Sequence, residues 1–199
     1  CSVVDDTIMA YPLLWTMSVH DYLWASGDQA TVRGLIDDMR SIVDKAVGTF
    51  LTDPPLVWMG WDDRIGNGWC DGSWVDHRCG DEAQLTFASL LIIAVRDLAL
   101  SLNAVGELDL GETYEETAQT LTLRLRNDSR WRAGALGLHS AGYAMVAGVP
   151  TPEETEDLVE RFFTDPMNLC SWSPFNSYWL LQGLGAASVE GSMDRALDL

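Results

Sequence analysis

Hydrophobic positions recur with a helical period along nearly the whole chain, and no β-rich stretch competes with them. Segments that are apolar on almost every side alternate with amphipathic segments that have one charged face. The predicted helices are, in chain order, an apolar one ending at Gly27, an amphipathic one over 29–47, an apolar one over 81–102, an amphipathic one from about Thr113 to Arg126, an apolar one from Ala133 to Val146, an acidic one over 152–163, an apolar one over 174–187 and the start of an outer one from Ser192 to Leu199.

Capping residues support these boundaries. Asp5 or Asp6 can begin the first helix, and Gly27 ends it. Asp28 then caps the second helix. The string Thr151-Pro152-Glu153-Glu154 combines an N-cap with Pro at the first helical position and acids in the first turn.

The alternation predicts an all-α fold of consecutive helical hairpins, with apolar inner helices and amphipathic outer ones closing into a ring. We expect at least seven helices and no sheet of more than two short strands. The helices from about Leu85 and Phe175 should be more buried than those from Thr31 and Glu153. Residues 1–199 hold about three and a half hairpins and stop inside a helical pattern, so we expect one partial barrel domain, truncated at both ends.

A long segment from about Leu51 to Gly80 interrupts the helical pattern. It is rich in Gly, Trp, Asp and Pro, and such a length in a compact domain indicates a functional loop. Cys70 and Cys79 lie within it, either as free thiols or as a disulfide that would add about 2.5 to 3 kcal/mol through loop entropy.

Charge and aromatic content narrow the class of ligand. The 30 acidic and 12 basic residues give a net charge of -18, which repels nucleic acid and anionic membrane surfaces. Nine Trp and five Tyr in an acidic chain suit a carbohydrate, because indole rings cover the C–H faces of sugars while carboxylates accept from their hydroxyls. The alternative is that most of these rings belong to the core.

Cysteine and histidine usage gives no metal or cofactor motif: the four Cys form no C-x-x-C pair and only three His occur. The sequon Asn127-Asp128-Ser129, with the Cys70 and Cys79 pair, favours an extracellular or secretory location. No signal peptide is evident. No apolar run approaches the roughly 18 residues of a membrane span, so we expect none.

Three stretches resemble family-78 α-L-rhamnosidases, which are six-hairpin glycosidases. The first is the aromatic helix from Tyr11 that ends in the Gly27-Asp28 turn. The second is Gly60-Trp61-Asp62-Asp63-Arg64-Ile65-Gly66, followed by Glu82 where the next helix begins. The third comprises Gly137-Leu-His139-Ser-Ala-Gly-Tyr, Pro152-Glu-Glu and Ser171-Trp-Ser-Pro-Phe-Asn-Ser-Tyr-Trp179, in the family's order; its Ser-Pro-Phe-Asn string is the most specific.

The resemblance implies part of an (α/α)6 toroid that hydrolyses terminal α-linked rhamnose-like sugars with inversion. One carboxylic acid protonates the glycosidic oxygen, and a second carboxylate across the sugar activates water. The predicted catalytic residues are Asp62, Asp63 and Glu82. The predicted sugar-binding residues are Trp61, Arg64, Trp69, Trp74, Trp172, Tyr178 and Trp179. The partners implied are carbohydrate and the remainder of the barrel or other chains of an assembly.

Each of these assignments has a purely structural alternative. Asp62, Asp63 and Arg64 could form an ion-pair cluster that only folds the loop, and the aromatic residues of 172–179 could pack into a neighbouring hairpin. His139 suits a hydrogen-bonded core position better than acid or base chemistry.

Three functions are compatible with this pattern. The first is the glycosidase, for which we expect the complete acid and base pair to need residues outside 1–199, so that the piece alone is inactive. The second is a non-catalytic hairpin module that serves a structural or sugar-binding role in an extracellular assembly. The third is another (α/α)6 hydrolase or lyase.

Overall fold

The computed structural model describes residues 10–51, 81–164, 174–192 and 194. These residues form eight helices and no strand, which confirms the predicted all-α class. The helices are α1 (Ala10–Ser26), α2 (Gln29–Phe50), α3 (Asp81–Val105), α4 (Leu108–Asn127), α5 (Ser129–Arg132), α6 (Leu138–Val146), α7 (Pro152–Phe163) and α8 (Pro174–Ala186). The expected starts at Asp5 or Asp6, the 52–80 loop with Cys70 and Cys79, and most of 192–199 lie outside the described residues.

The predicted C-terminal end of α1 and the predicted N-caps of α2 and α7 are confirmed. Gly27 has a φ of 70°, the left-handed conformation that ends a helix. A carboxylate oxygen of Asp28 accepts from the Thr31 backbone N–H at 3.0 Å. At α7 the bonds are reciprocal: the Glu154 N–H donates to the Thr151 hydroxyl at 3.2 Å, and the Thr151 N–H donates to the Glu154 carboxylate at 2.7 Å.

Two predicted boundaries are wrong. Helix α4 begins at Leu108, five residues before the expected Thr113, because a single tight turn at Gly106, with a φ of 92°, separates it from α3. The segment expected to be helical from Ala133 is broken. Asp128 caps the short α5 by accepting from the Arg130 N–H, and Gly134, at a φ of 72°, lies in the turn between α5 and α6.

The apolar helices form a row in which α1 packs on α3, α3 on α6, and α6 on α8. The amphipathic helices cover it: α2 and α4 pack on α3, and α7 packs on α6. This is the inner and outer arrangement that the alternation predicted. Helix α3 contacts α1, α2, α4, α5 and α6 and supplies the largest part of the core.

The predicted order of burial is confirmed among the described side chains. Nearly all of α3 is buried, and α8 buries Trp179, Leu180 and Leu184, whereas α2 and α7 bury only one stripe each. Among the described helices, each of the two inner helices at the ends of the row packs on one inner neighbour. Large apolar side chains remain exposed on them, such as Trp15 on α1 and Leu181 on α8.

Small and polar residues fix how the inner helices meet. A Cβ atom on Gly183 of α8 would lie 2.8 Å from the Gly142 carbonyl oxygen of α6, so only glycine allows this approach. The Arg96 guanidinium of α3 donates to the Ala147 carbonyl oxygen at the end of α6, and to the Thr122 hydroxyl of α4 at 3.5 Å.

Helix α3 contradicts the expectation that no apolar run is long enough for a membrane span. The 22 residues Gln84–Val105 are long and apolar enough to cross a membrane by length and composition, although no run of that length was expected. Within the fold, 78% of that window is buried by neighbouring helices, as in the core helix of a globular domain.

Candidate functional site

Of the residues predicted to form the site, Glu82, Tyr178 and Trp179 are among those the structure describes. The other predicted catalytic and sugar-binding residues lie outside the described ranges: Trp61, Asp62, Asp63, Arg64, Trp69, Trp74 and Trp172.

Glu82 lies in the first turn of α3 and reaches the N-terminus of α6. Its Oε1 accepts from the backbone N–H of His139 at 3.1 Å and of Ser140 at 3.4 Å, and lies 3.7 Å from Nδ1 of His139. The free N–H groups and the dipole of a helix N-terminus both favour a carboxylate at this place. In this structure Glu82 therefore caps α6 and joins it to α3.

Gly137 makes room for this contact. A side chain at position 137 would overlap the Glu82 carboxylate. The Gly137 N–H also donates to the Ser140 hydroxyl at 2.8 Å, so this turn satisfies several backbone groups at once. The Nε2 atom of His139 is buried and has no hydrogen-bond partner among the described residues.

Trp179 and Tyr178 are adjacent in α8 but have different environments. Trp179 is 4% exposed and stacks on Tyr143 with ring centroids 4.5 Å apart, as the packing alternative expected. Tyr178 meets the Trp179 ring edge-on and is 50% exposed. Of the two, Tyr178 has a ring that a sugar could reach.

A second group of polar side chains, missed by the sequence analysis, combines residues of three inner helices. It consists of Asp97 of α3, Asp21 and His20 of α1, and Tyr178 of α8. Burial first, and the nearby Asp21 charge second, raise the pKa of Asp97 to about 7. Burial first, then the charges of Asp21 and Asp97, raise the pKa of Tyr178. The same two carboxyl groups thus act on one phenol.

His20 combines a lowered pKa with a hydrogen bond that orients its ring. Burial lowers the pKa of His20, against the opposing effect of Asp21. Its Nδ1 lies 3.2 Å from the Ser101 hydroxyl, and that hydroxyl donates to the Asp97 carbonyl oxygen at 2.7 Å. Because the Ser101 proton is already engaged, we infer that Nδ1 of His20 carries the proton and Nε2 keeps its lone pair.

The two groups of polar residues are separate. Glu82 and Asp97 are fifteen positions apart in α3, which is roughly 22 Å along the helix axis at 1.5 Å per residue. The sequence signal for Asp97 was available: it is a carboxyl residue on a helix that is apolar nearly all round, and such residues are candidates for function.

A cavity of about 300 Å³ lies elsewhere, between α2, α3, α4 and α5. Arg130, which lines this cavity, donates from Nε and Nη2 to the Asp128 carboxylate at 2.9 and 2.7 Å. No group of three or more potential metal ligands occurs in the described ranges.

Comparisons of the chain with protein-family models, with characterised proteins and with solved structures give no match.

Proposed function

We propose that the chain is part of a glycoside hydrolase that cleaves terminal α-linked, rhamnose-like sugars with inversion. The observation that carries the proposal is the group of Asp97, Asp21 and Tyr178, in which the two carboxyl groups raise the pKa of a tyrosine whose ring is half exposed. Acid and base hydrolysis of a sugar uses two carboxyl groups whose environments separate their pKa values, and an exposed aromatic ring can cover the C–H face of a sugar. The choice of rhamnose rests on the family resemblance.

The partners we propose are suggested by the exposed side of α1, at one end of the row of inner helices. The outer helices carry charged side chains on their solvent-facing sides. The inner helix α1 instead has exposed aromatic rings at Tyr11, Trp15 and Tyr22. These three positions lie on one stripe of the helix at spacings of four and seven residues. An apolar helix face of this kind is usually covered in the folded protein. We therefore propose that further hairpins of the barrel, or other chains of an assembly, pack there.

The extracellular or secretory location remains a proposal that rests on the sequon. Asn127 is exposed at the end of α4. Expression through a secretory pathway should give a product whose mass falls on treatment with an N-glycosidase, and Asn127→Gln should abolish that change. A wild-type product without glycan would remove this support.

The catalytic test uses the full-length protein and 4-nitrophenyl α-L-rhamnoside. Wild-type protein should release nitrophenol, and the sugar should appear first as the inverted anomer by NMR. Asp62→Asn or Asp63→Asn should lower kcat/KM at least 10²-fold, about 2.7 kcal/mol of transition-state stabilisation, with little loss of folding stability. Variants that melt earlier yet turn over normally per folded molecule would assign these carboxylates to loop folding.

The non-catalytic alternative is favoured by one observation. Glu82, the one predicted catalytic carboxylate among the described residues, uses Oε1 to cap α6. If the chain is a sugar-binding module, rhamnose should change its intrinsic tryptophan fluorescence in a saturable way, and no rhamnoside should be hydrolysed. Hydrolysis by the wild-type protein would exclude it.

A further inference from the structure

We propose that the cavity between α2, α3, α4 and α5 binds a small organic anion, a carboxylate that carries an aliphatic chain. This binding is separate from the proposed hydrolysis and does not depend on it. The cavity lies between α3 and the outer helices, whereas Glu82 of the same helix reaches the inner helix α6.

The buried part of the lining is mainly apolar. Leu91 and Ile92 of α3 and Leu121 and Leu125 of α4 form an apolar floor, and none of the four is more than 6% exposed. Gln84 is the polar side chain buried beside them. A volume of about 300 Å³ is at the lower end of the range for small-molecule sites, which are mostly apolar with a few polar groups. An aliphatic chain would replace water over the apolar floor, and this burial favours binding.

The opening of the cavity carries the charge. The lining residues that are partly or fully exposed mark this opening: Phe50, Ala88, Arg124, Asp128, Ser129 and Arg130. Among the described residues of the lining, two positive charges stand against one negative charge and leave a positive excess. The protein as a whole has a net charge of -18. A positive excess at one opening of so acidic a chain favours an anionic ligand there.

Asp128 fixes Arg130 at the opening without using all of its donors. Nε and Nη2 of Arg130 donate to the two carboxylate oxygens of Asp128, and Nη1 donates to none of the described residues. Because a guanidinium has five N–H donors, an arginine held by one carboxylate can still donate to a second one. The charges that act on Arg130 are those of Asp128 and Asp81. Asp81 is exposed and lies outside the lining, so solvent and salt screen its charge.

The two parts of the lining together select the ligand class. An inorganic anion would leave the apolar floor in contact with water, and a hydrocarbon would leave the arginines at the opening without a counter-charge. A carboxylate with an aliphatic chain matches both parts. Its chain would lie on the apolar floor, and its carboxylate would lie at the opening, where arginine is the side chain best shaped to bind it.

The first experiment compares three ligands by isothermal titration calorimetry of the full-length protein. Octanoate has both the chain and the carboxylate, octanol has the chain alone, and acetate has the carboxylate alone. Octanoate should bind in a saturable way at one site, and octanol and acetate should each bind about tenfold more weakly or worse. No saturable binding of octanoate would overturn the proposal, and so would an equal affinity for octanol or for acetate.

The second experiment locates the ligand with three variants. Arg124→Gln should weaken octanoate binding by about tenfold or more and leave octanol binding nearly unchanged. Arg126→Gln is the matched control, because it removes the same charge from the same helix but lies outside the lining, where Arg126 pairs with Glu154 at 3.5 Å. Ala88→Leu should weaken the binding of both ligands, because its larger side chain fills the cavity.

Circular dichroism spectra and thermal melting establish that each variant is folded, and the ligand comparison on the wild-type protein stands even if one of them is not. Equal losses in the Arg124 and Arg126 variants would show a general effect of charge and overturn the proposal. An unchanged affinity for octanoate in Ala88→Leu would place the ligand elsewhere and overturn it as well. Neither experiment measures hydrolysis of a rhamnoside, so its outcome is distinct from that of the proposed function.

Discussion

The carboxylate of Glu82 occupies the space that a side chain on Gly137 would fill. Gly137 has a φ of -110°, which any residue can adopt, so space and not backbone strain selects glycine here. Gly137→Ala should displace Glu82 from the N-terminus of α6 and lower the free energy of unfolding by about 1 to 2 kcal/mol. Urea denaturation followed by circular dichroism measures the loss.

A double-mutant cycle tests the mechanism of that loss. If the alanine acts through Glu82, its effect should largely vanish in a Glu82→Ala background, because the cap is already gone. Gly34→Ala serves as control: this glycine lies inside α2 with no atom within 4 Å of a new Cβ, so alanine should stabilise by about 0.5 to 1 kcal/mol. Additive effects of the Gly137 and Glu82 changes would contradict the explanation.

Two glycines of α8 should respond oppositely to alanine. A Cβ on Gly183 would meet the Gly142 backbone, which cannot move without separating α6 from α8, so Gly183→Ala should destabilise by about 1 to 3 kcal/mol. A Cβ on Gly185 meets nothing within 4 Å, and Gly185→Ala should be neutral or stabilise by up to about 1 kcal/mol. Thermal melting of the two variants measures this difference in stability. Equal melting temperatures would show that α6 and α8 separate readily.

Asp97 should make the stability of the protein depend on pH. The pKa of its carboxyl group is raised from 3.8 to about 7 in the folded state, so its contribution is fully retained below pH 3.8 and is lost as the pH rises through 7. The total loss is about 4 kcal/mol, of which roughly 2 to 3 kcal/mol falls between pH 5 and pH 8. Asp97→Asn should therefore be more stable than the wild type at pH 8, with a smaller advantage at pH 5.

Urea denaturation at both pH values measures this difference. Asp38→Asn is the control. It removes one negative charge, as Asp97→Asn does, but from an exposed carboxylate on α2. Parallel pH dependences for Asp97→Asn and the wild type would show that Asp97 is well solvated.

The cap of α7 gives a local test. Thr151→Ala removes the hydroxyl that accepts from the Glu154 N–H and should cost about 1 kcal/mol. Thr120→Ala, on the exposed side of α4, should change stability by less than about 0.5 kcal/mol. Similar losses at the two positions would mean that the helix end finds other partners.

Local signals in the sequence predicted most of the fold. The alternation of apolar and amphipathic segments identified the inner and outer helices, and Gly27, Asp28 and Thr151 marked helix ends because capping acts within a few residues. The break before α6 was missed, since Asp128 and Gly134 act inside a segment with acceptable helical composition.

The candidate site was predicted less well because it depends on contacts between distant parts of the chain. Glu82 and Gly137 are 55 positions apart, and no local pattern indicates that a carboxylate at one would cap the helix that follows the other. Asp97 stands out only in the assembled fold, where burial and the charge of Asp21 raise its pKa and where its own charge raises the pKa of Tyr178. Burial, which sets its proton affinity, is a property of the assembled helices.

The pairing of α1 with α3 has a consequence during synthesis. Helix α1 buries its apolar side largely against α3, whose last residue, Val105, is made 79 residues after Ser26. At 5 to 20 residues per second, the ribosome needs about 4 to 16 seconds to cover that distance. Among the described helices, α2 is the one partner of α1 that exists during this interval. The nascent chain therefore offers the apolar side of α1 to chaperones before α3 is complete.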